Sequence, residues 1–318
     1  MKVVAIIGGL GSQMLKYAFF LQLKETDECY IDTISYRLSD MWNGYELQRI
    51  FKIQEKDISD WITNEEIENI KIRKIDYKNV AEKIMNMMDS QKIVVSIFRG
   101  YLYPQAEHKI LLLFSLLYNR SKRIGKKNSV KDTFPFFYKT KIFSIYYDEF
   151  NHTSDYYIGN GRNKKQLKEV FSFPKFKNIK NLQVSQEMLL QQSVAVHVRR
   201  SDHMYDNHSL FEDKYFKKAT DYIHKMVHNP VFYLFSDEPD WCRENLGELG
   251  LALEEVVFID WNRGTDSYRD MQLMTYCRHN VLVISSFSWW GYYLSKYEEK
   301  EKVVCAPKNY WLEVKVHF

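Results

Sequence analysis

The chain has 318 residues, of which 45% are hydrophobic and 27% are charged, and its formal net charge is +4. These values are typical of a folded globular protein with room for two lobes, and the mild charge does not suggest a dedicated nucleic-acid binder. The four cysteines are scattered without the spacing of a metal site, which favours a reduced, cytoplasmic protein. The longest apolar run, over residues 110–117, is far shorter than the ~20 residues that cross a bilayer, so we expect no transmembrane anchor.

The chain opens with the pattern of a strand, a glycine turn and a helix. The β-branched run over residues 3–7 predicts a buried strand, three glycines follow within residues 8–11, and apolar residues then recur at helical spacing over residues 13–24. The dinucleotide-binding pattern GxGxxG is incomplete because Met14 stands where its third glycine would be, which argues against an NAD-dependent oxidoreductase. A tight turn that lets a ligand approach the backbone is the simpler interpretation.

The region that follows gives weaker signals. We predict strands over residues 29–33 and 92–98, and helices over residues 47–51 and 80–88. A strongly basic stretch over residues 120–141 is interleaved with aromatic side chains. It fits either a solvated loop, which we slightly favour, or peripheral contact with an anionic membrane.

Strands and helices alternate regularly in the C-terminal half, with short connections between them. The predicted strands cover residues 194–198, 231–235, 256–259, 281–284 and 303–305, and the predicted helices cover residues 213–228, 238–247, 267–278 and 288–296. This alternation predicts an α/β fold in which a parallel sheet carries helices on both faces.

Charged and hydroxyl residues follow these strands at their carboxyl ends, which meet at one edge of a parallel sheet and commonly bind ligands there. Arg199 and Arg200 follow one strand, Ser236 and Asp237 follow the next, and residues 285–288 follow a later one. Arginines can grip a diphosphate with paired hydrogen bonds, and serines together with backbone amides at a helix start bind anions. A carboxylate on the same edge can accept hydrogen bonds from guanine or ribose. The set therefore predicts a site for a nucleoside diphosphate.

Each of these signals alone has a plainer structural interpretation. An arginine pair after a strand is commonly a surface ion-pair site, a serine-rich turn is commonly only a helix cap, and Asp237 fits a turn residue. His197 lies within a strand and fits a buried histidine, while Trp289 and Trp290 fit core packing. The nucleotide interpretation depends on several weak signals falling on one sheet edge.

Segments spread along the chain resemble the signature motifs of bacterial α-1,2-fucosyltransferases, which belong to glycosyltransferase family 11. Residues 8–18 resemble the motif GGLGNQMFQYA, residues 197–202 resemble HVRRGD, residues 235–238 resemble FSDD, and residues 270–279 and 285–291 resemble the last block of the family. The segments occur in the family order. Ser12 and Ser201 stand where the family usually has asparagine and glycine.

The resemblance implies an inverting glycosyltransferase that needs no metal or other cofactor. It would move L-fucose from GDP-β-L-fucose to a galactoside hydroxyl in an α-1,2 linkage, with surface-polysaccharide synthesis as the expected pathway. The implied fold is of the GT-B type, in which two Rossmann-like lobes face each other across a cleft. Residues 1–186 would form the acceptor-binding lobe and residues 187–318 the GDP-sugar-binding lobe. The expected acceptor is a galactoside or a lipid-linked oligosaccharide, and the expected location is the cytoplasm or the inner face of its membrane.

The resemblance also implies roles for individual residues. The catalytic candidates are Arg199, Asp202 and Glu46, with the two carboxylates as candidate general bases. The implied donor-binding residues are Gly9, Gly11, Gln13, His197, Arg199, Arg200, Ser236, Asp237, Asp270, Ser285, Ser286, Phe287 and Ser288.

Two alternatives stay open beside the fucosyltransferase interpretation. One is a transferase of the same fold that uses another GDP-sugar or makes another linkage. The other is a sugar- or nucleotide-binding protein without catalytic activity, and the intact pair of Arg199 and Arg200 argues against it.

Overall fold

The structure, a computed structural model, describes residues 2–6, 8–25, 28–38, 42–61, 63–71, 164–200, 211 and 214–307. The chain divides into two compact units, Met1–Val170 and Phe171–Phe318. The elements predicted over residues 80–88 and 92–98, the basic stretch 120–141 and Asp202 lie outside the described residues. No helix in the described ranges is long and apolar enough to cross a membrane.

The first unit contains a pair of parallel strands and the helices around them. The described elements are β1 (Lys2–Ala5), α1 (Leu10–Lys24), β2 (Cys29–Asp32), α2 (Ile34–Leu38), α3 (Glu46–Phe51), a 3₁₀ turn (Ile58–Trp61), α4 (Asn64–Lys71) and α5 (Lys164–Val170). β1 pairs with β2 in parallel, and α1 packs against both strands and α3. This start confirms the predicted strand, glycine turn and helix, with α1 beginning at Leu10 directly after Gly8 and Gly9.

The second unit alternates strands and helices. Its described elements are α6 (Ile179–Leu190), β3 (Gln192–Val198), α7 (Tyr215–Met226), β4 (Pro230–Ser236), α8 (Pro239–Glu244), α9 (Leu246–Leu249), β5 (Val256–Ile259), α10 (Tyr268–Met274), β6 (His279–Val281), α11 (Ser286–Tyr293) and β7 (Val304–Cys305). The strands form one five-stranded sheet in the order β5-β4-β3-β6-β7, and every pair is parallel. The predicted mixed α/β fold with a parallel sheet is thus confirmed.

The core of the second unit lies on both faces of this sheet. Successive side chains of a strand point to opposite faces. Accordingly, Val194, Val196 and Val198 of β3 pack with α7, whereas Ala195 packs with α6 and α10. Burial on both faces explains why the strands read as continuous apolar runs in the sequence.

Most predicted bounds in this unit differ from the structure by a few residues, and the helix predicted over residues 238–247 is found as two helices, α8 and α9. The strand predicted over residues 281–284 is found at His279–Val281, because His279 and Asn280 pair with β3 together with Val281. The apolar residues that follow are buried but lie beyond the paired segment. The buried His279 ring is accommodated by its neighbours: its Nδ1 accepts from the Val303 backbone N–H at 2.9 Å, and its Nε2 lies 3.1 Å from the Gln192 side chain. The helix predicted over residues 267–278 ends at Met274.

The helix α6 was not predicted. It packs against β3 and α10, and it spans the predicted lobe boundary between residues 186 and 187. The assignment of acceptor and donor binding to the two parts of the chain stays a prediction.

Candidate functional site

The order of the strands marks one position on the sheet edge of the second unit. The chain runs from β3 outward to β4 and β5, and then returns to place β6 on the other side of β3. The connections on either side of β3 therefore diverge, and at such a point an α/β sheet is expected to have a ligand-binding crevice outside the carboxyl ends of its strands, here β3 and β6. Arg199 follows β3 directly, and Ser285 lies four residues after the end of β6. The two predicted anion-binding segments thus flank this crevice.

The serine segment forms the start of α11. Ser285 caps the helix, because its Oγ accepts from the Phe287 backbone N–H at 3.2 Å, and the Ser288 Oγ donates to the Ser285 carbonyl at 3.3 Å. Ser285 and Ser288 are buried, whereas Ser286 and Phe287 are partly exposed. The His197 ring of β3 lies 5.7 Å from the Phe287 ring, which holds the helix start against the central strand. Backbone amides at such a helix start favour a bound anion.

Arg200 is held in a specific environment at the same edge. Its backbone N–H donates to the Asp237 carboxylate at 3.1 Å, so the turn after β3 is joined to the turn after β4. Its guanidinium lies 3.7 Å from the centre of the Trp241 ring and 5.5 Å from that of Phe211, and its Nε forms an ion pair with Glu238 at 3.1 Å. A guanidinium stacked on an indole is strongly oriented. Arg200 thus forms an ion pair, as the plainer structural interpretation expects. It also lies at the carboxyl edge of the sheet, as the nucleotide interpretation expects.

Ser236 and Asp237 form the turn after β4. Ser236 is the last residue of the strand, and its Oγ accepts from the Glu238 backbone N–H at 3.0 Å. Asp237 is exposed, whereas Ser236 is partly exposed. Ser236 therefore orders the turn whose carboxylate holds the Arg200 backbone.

Asp270 lies in a polar network beyond the carboxyl end of β5. Its Oδ1 accepts from the Asn262 side chain at 2.8 Å, and Asn262 in turn accepts from Asn181 of α6 at 2.8 Å. The Trp261 indole N–H completes the network by donating to Asn181 at 2.7 Å. Burial raises the pKa of Asp270 to about 7, against the opposing effects of the Asn262 hydrogen bond and the Arg263 charge. Sequence reasoning missed Asn181, because nothing marked its helix as part of this edge.

The glycine turn of the first unit is fastened by one side chain. Gln13, fully buried, donates through Nε2 to the carbonyls of Gly8 and Gly44, both at 2.9 Å. Its Oε1 accepts from the Glu46 backbone N–H at 2.8 Å. Gly8 has a φ of +94°, a conformation that favours glycine, and the Tyr36 hydroxyl donates to its carbonyl at 2.6 Å. The amide of Gln13 therefore joins the turn after β1 to the loop before α3.

Glu46 is buried beside this turn, with only 2% of its surface exposed. Its carboxylate forms an ion pair with Arg49 at 2.6 Å and accepts from the Leu10 backbone N–H at the start of α1. Burial raises the pKa of Glu46, and the nearby Arg49 charge opposes that rise. Glu46 thus contributes to the packing of the glycine turn.

Asp32 ends β2 and is also buried. Its Oδ1 accepts from the Ile34 backbone N–H at 2.9 Å, which supports the start of α2. Burial raises the pKa of Asp32 to about 7, and the nearby Asp57 carboxylate adds to the rise. An acidic residue thus ends the second strand, and its side chain is buried.

Comparison with known proteins identifies the segment that carries the crevice. The family described as glycosyl transferase family 11 matches residues 163–311. Residues 163–311 belong to glycosyl transferase family 11. This family 11 segment includes Arg199, Arg200, Asp270 and the whole start of α11, whereas the glycine turn lies outside it.

Curated relatives of the chain agree with this assignment. The alpha-1,2-colitosyltransferase of Escherichia coli is 30% identical over 155 residues, which cover 47% of this chain and 51% of the relative. The galactoside 2-alpha-L-fucosyltransferase SEC1 of Bos taurus is 32% identical over 107 residues, covering 32% of this chain and 28% of the relative. The O-antigen biosynthesis glycosyltransferase WbnK of Escherichia coli is 27% identical over 125 residues, covering 37% and 39%. The chain therefore spans about half the length of these relatives, or less.

Among solved structures, the fucosyltransferase NodZ from Bradyrhizobium aligns over 92% of both chains, with 11% identity and a TM-score of 0.44. Similarity at this level does not establish a shared fold.

The predicted donor-binding residues of the family 11 segment lie at the carboxyl ends of its strands, in the turns that follow them, or in the first turns of helices α10 and α11. They are His197, Arg199, Arg200, Ser236, Asp237, Asp270, Ser285, Ser286, Phe287 and Ser288. Gly9, Gly11, Gln13 and Glu46 lie together in the first unit, and Asp202 lies outside the described residues. Within the described ranges, no three His, Cys, Asp or Glu side chains form a group that could hold a metal ion. The roles of these residues, and the expected independence of metal, stay predictions.

Proposed function

We propose that the protein is an inverting, metal-independent glycosyltransferase that moves L-fucose from GDP-β-L-fucose to a galactoside hydroxyl in an α-1,2 linkage. The observation that carries the proposal is the strand order of the family 11 segment, which places Arg199 after β3 and the capped start of α11 after β6, at neighbouring carboxyl ends of the sheet. The names of the relatives support both the linkage and the galactoside acceptor.

The chemistry that such a crevice supports is the departure of a diphosphate. The acceptor oxygen attacks the anomeric carbon from the face opposite GDP, and the bond from that carbon to the β-phosphate oxygen breaks. The bonding electrons pass to the phosphate, so negative charge grows there in the transition state, and the β-linked donor gives an α-linked product. Fixed cations and helix-start amides stabilise such growing charge. Arg199 and the first amides of α11 are the groups that we assign to this task.

The proton of the acceptor hydroxyl needs a base, and Asp202 and Glu46 are the two candidates. Glu46 already holds Arg49 and the Leu10 backbone N–H. Only 2% of its surface is exposed, which leaves an acceptor hydroxyl little access to its carboxylate. We therefore favour Asp202, which follows the two arginines in the chain.

The wider arrangement belongs to the same proposal. We infer a GT-B fold in which residues 1–186 bind the acceptor and residues 187–318 bind the GDP-sugar. The acceptor would be a galactoside or a lipid-linked oligosaccharide of a surface polysaccharide. In the second case the basic stretch over residues 120–141 would touch the anionic membrane that carries it.

A second donor is favoured by one specific observation. The E. coli relative that matches 47% of this chain is named for colitose, which is fucose without its 3-hydroxyl group. A site that hydrogen-bonds that hydroxyl would discriminate strongly against the deoxy sugar, whereas a site without such a contact would accept both. GDP-colitose is therefore the alternative donor.

Incubation with GDP-fucose or GDP-colitose and a panel of β-galactosides tests the proposal. We expect GDP release and a product whose NMR spectrum shows an α-1,2 linkage, with an equal rate in the presence of EDTA. A preference for GDP-colitose would reassign the donor and leave the reaction class in place. Binding of GDP without any product would instead indicate a catalytically silent binding protein.

A further inference from the structure

One aromatic side chain of the first unit is exposed beside the glycine turn. Trp42 has 49% of its surface exposed, and within the described part of the chain it is the one aromatic among the large exposed hydrophobic residues. The other exposed members of that group are aliphatic or methionine. An indole with about half of its surface in water can contact a ligand, and aromatic side chains contribute strongly to binding where they do.

The turn that presents Trp42 is well anchored. Trp42 itself has a φ of 53° and Gly44 a φ of 72°, so the backbone turns sharply through the left-handed region. A tryptophan rarely adopts that conformation unless the surrounding structure imposes it. Here the hydrogen bonds of Gln13 to the Gly44 carbonyl and from the Glu46 backbone N–H hold the loop on the α1 side. The backbone that follows the indole is thus fixed to α1 before any ligand arrives.

The indole lies against the backbone of the glycine turn. A Cβ added to Gly9 would lie 3.6 Å from Cδ1 of Trp42, which is ordinary van der Waals contact, so the ring lies within one methyl group of the glycine backbone. Gly9 is the N-cap of α1, in the turn that follows β1. The indole therefore borders the position at which ligands approach a sheet of this kind.

We propose that Trp42 is a stacking platform for a pyranose ring of the acceptor, an inference that rests on the proposed transferase function. An indole presents a flat, electron-rich face. A galactopyranoside presents a matching face, because its axial 4-hydroxyl leaves the C–H groups of carbons 3, 4 and 5 together on the opposite side. A preformed aromatic surface binds such a ring with little loss of side-chain freedom. The rival occupant is the guanine base of the donor, which also stacks on aromatic rings.

Saturation-transfer NMR with methyl β-D-galactopyranoside and GDP in the same sample tests the platform. We expect transfer to the sugar C–H protons in the wild type, and affinity about five- to a hundredfold weaker in Trp42→Ala, by analogy with other ring stacking. Trp42→Phe should keep most of the binding. Leu253→Ala, at an exposed apolar residue of the other unit, should leave it unchanged. The saturation-transfer signals of GDP should be equal in the wild type and in the three variants.

Unchanged galactoside binding in Trp42→Ala, or none in the wild type, would overturn the platform. Loss of the GDP signals in Trp42→Ala would also overturn it, because the indole would then serve the nucleobase. A wild type that binds the galactoside but not GDP would contradict the proposed transferase function and leave the platform standing.

Discussion

The second of the two arginines after β3 is held by neighbouring side chains. Arg200 is stacked on Trp241 and paired with Glu238, so its orientation is fixed by protein groups. Arg199 stands one residue earlier, at the end of the central strand. We expect Arg199 to contact the leaving phosphate, as the resemblance to the family motif implies, and Arg200 to order the turn as well as add positive charge.

Replacing Arg199 tests its assigned role. We expect Arg199→Ala to lower kcat/KM by at least about 10²-fold, since a lost transition-state contact of this kind costs that much. The melting temperature should stay near that of the wild type. Arg243→Ala is the matched control, because this exposed arginine of α8 forms its ion pairs away from the serine turn. Wild-type turnover in Arg199→Ala would contradict the assignment.

Replacing Trp241 tests whether the stacked ring positions Arg200. Trp241→Leu removes the aromatic face at 3.7 Å, and we expect the donor KM to rise roughly two- to thirtyfold, the range expected for loss of a cation–π contact. Trp241→Phe keeps an aromatic face and should restore most of the affinity. If the phenylalanine and leucine variants bind the donor equally weakly, the ring serves only as packing.

At the scale of elements, the glycine turn depends on helix α1. The side chain of Gln13 makes its hydrogen bonds inside the protein, where an unsatisfied partner is costly. If this amide is removed, we therefore expect both the glycine turn and the loop before α3 to become less ordered.

Gln13→Leu tests this dependence. The Gly44 carbonyl and the Glu46 backbone N–H would lose their partner, and we expect the free energy of unfolding to fall by about 2–4 kcal/mol in denaturant titrations. Gln22→Leu is the matched control on the same helix. Its Oε1 is buried without a hydrogen-bond partner among the described residues, so that substitution should be neutral or slightly stabilising. Equal losses in both variants would refute the special role of Gln13.

Much of the second unit could be predicted from its sequence. The strand over Val256–Ile259 has the predicted bounds, and the other strands fall within a few residues of theirs, because apolar runs between turn signals mark buried parallel strands. Strand β6 is displaced because its paired residues include His279 and Asn280, whose burial depends on neighbouring chains. Periodicity along one segment carries no information about such partners.

The site was partly predictable for a similar reason. The carboxyl ends of parallel strands share one edge, so Arg199, Asp237 and Ser285 could be assigned to it from strand order alone. The position of the crevice required the observed order of the sheet. The network around Asp270 could not be foreseen, since its Asn181 comes from α6, whose exposed Leu182 and Leu190 obscure the helical pattern.

At the scale of the whole molecule, buried carboxyl groups make stability depend on pH. The pKa of Asp32 is raised to about 7 by burial, so the folded protein keeps a proton that the unfolded chain, with its ordinary value near 4, has released. The folded state then binds more protons between those two values, and the stability contributed by this group falls as pH rises through that window. Asp270, also with a pKa of about 7, acts in the same direction.

Asp32→Asn tests this linkage. Asparagine keeps an oxygen for the Ile34 backbone N–H but has no proton to release. We expect the free energy of unfolding of the variant, relative to the wild type, to increase between pH 5 and pH 8 by on the order of 2–4 kcal/mol. Asp240→Asn, at a side chain that is 93% exposed, should show no such trend. Parallel curves for wild type and Asp32→Asn would contradict the linkage.

The central place of β3 has a kinetic consequence. Both edges of this strand are paired, with β4 on one side and β6 on the other. Backbone amides enclosed in this way exchange their hydrogens slowly, because only the rarer and larger openings of a protein expose them. The outer strands β5 and β7 can fray while β3, the strand that precedes Arg199, keeps its hydrogen bonds. The nucleotide that we propose for this edge would therefore arrive and depart many times without local unfolding of β3.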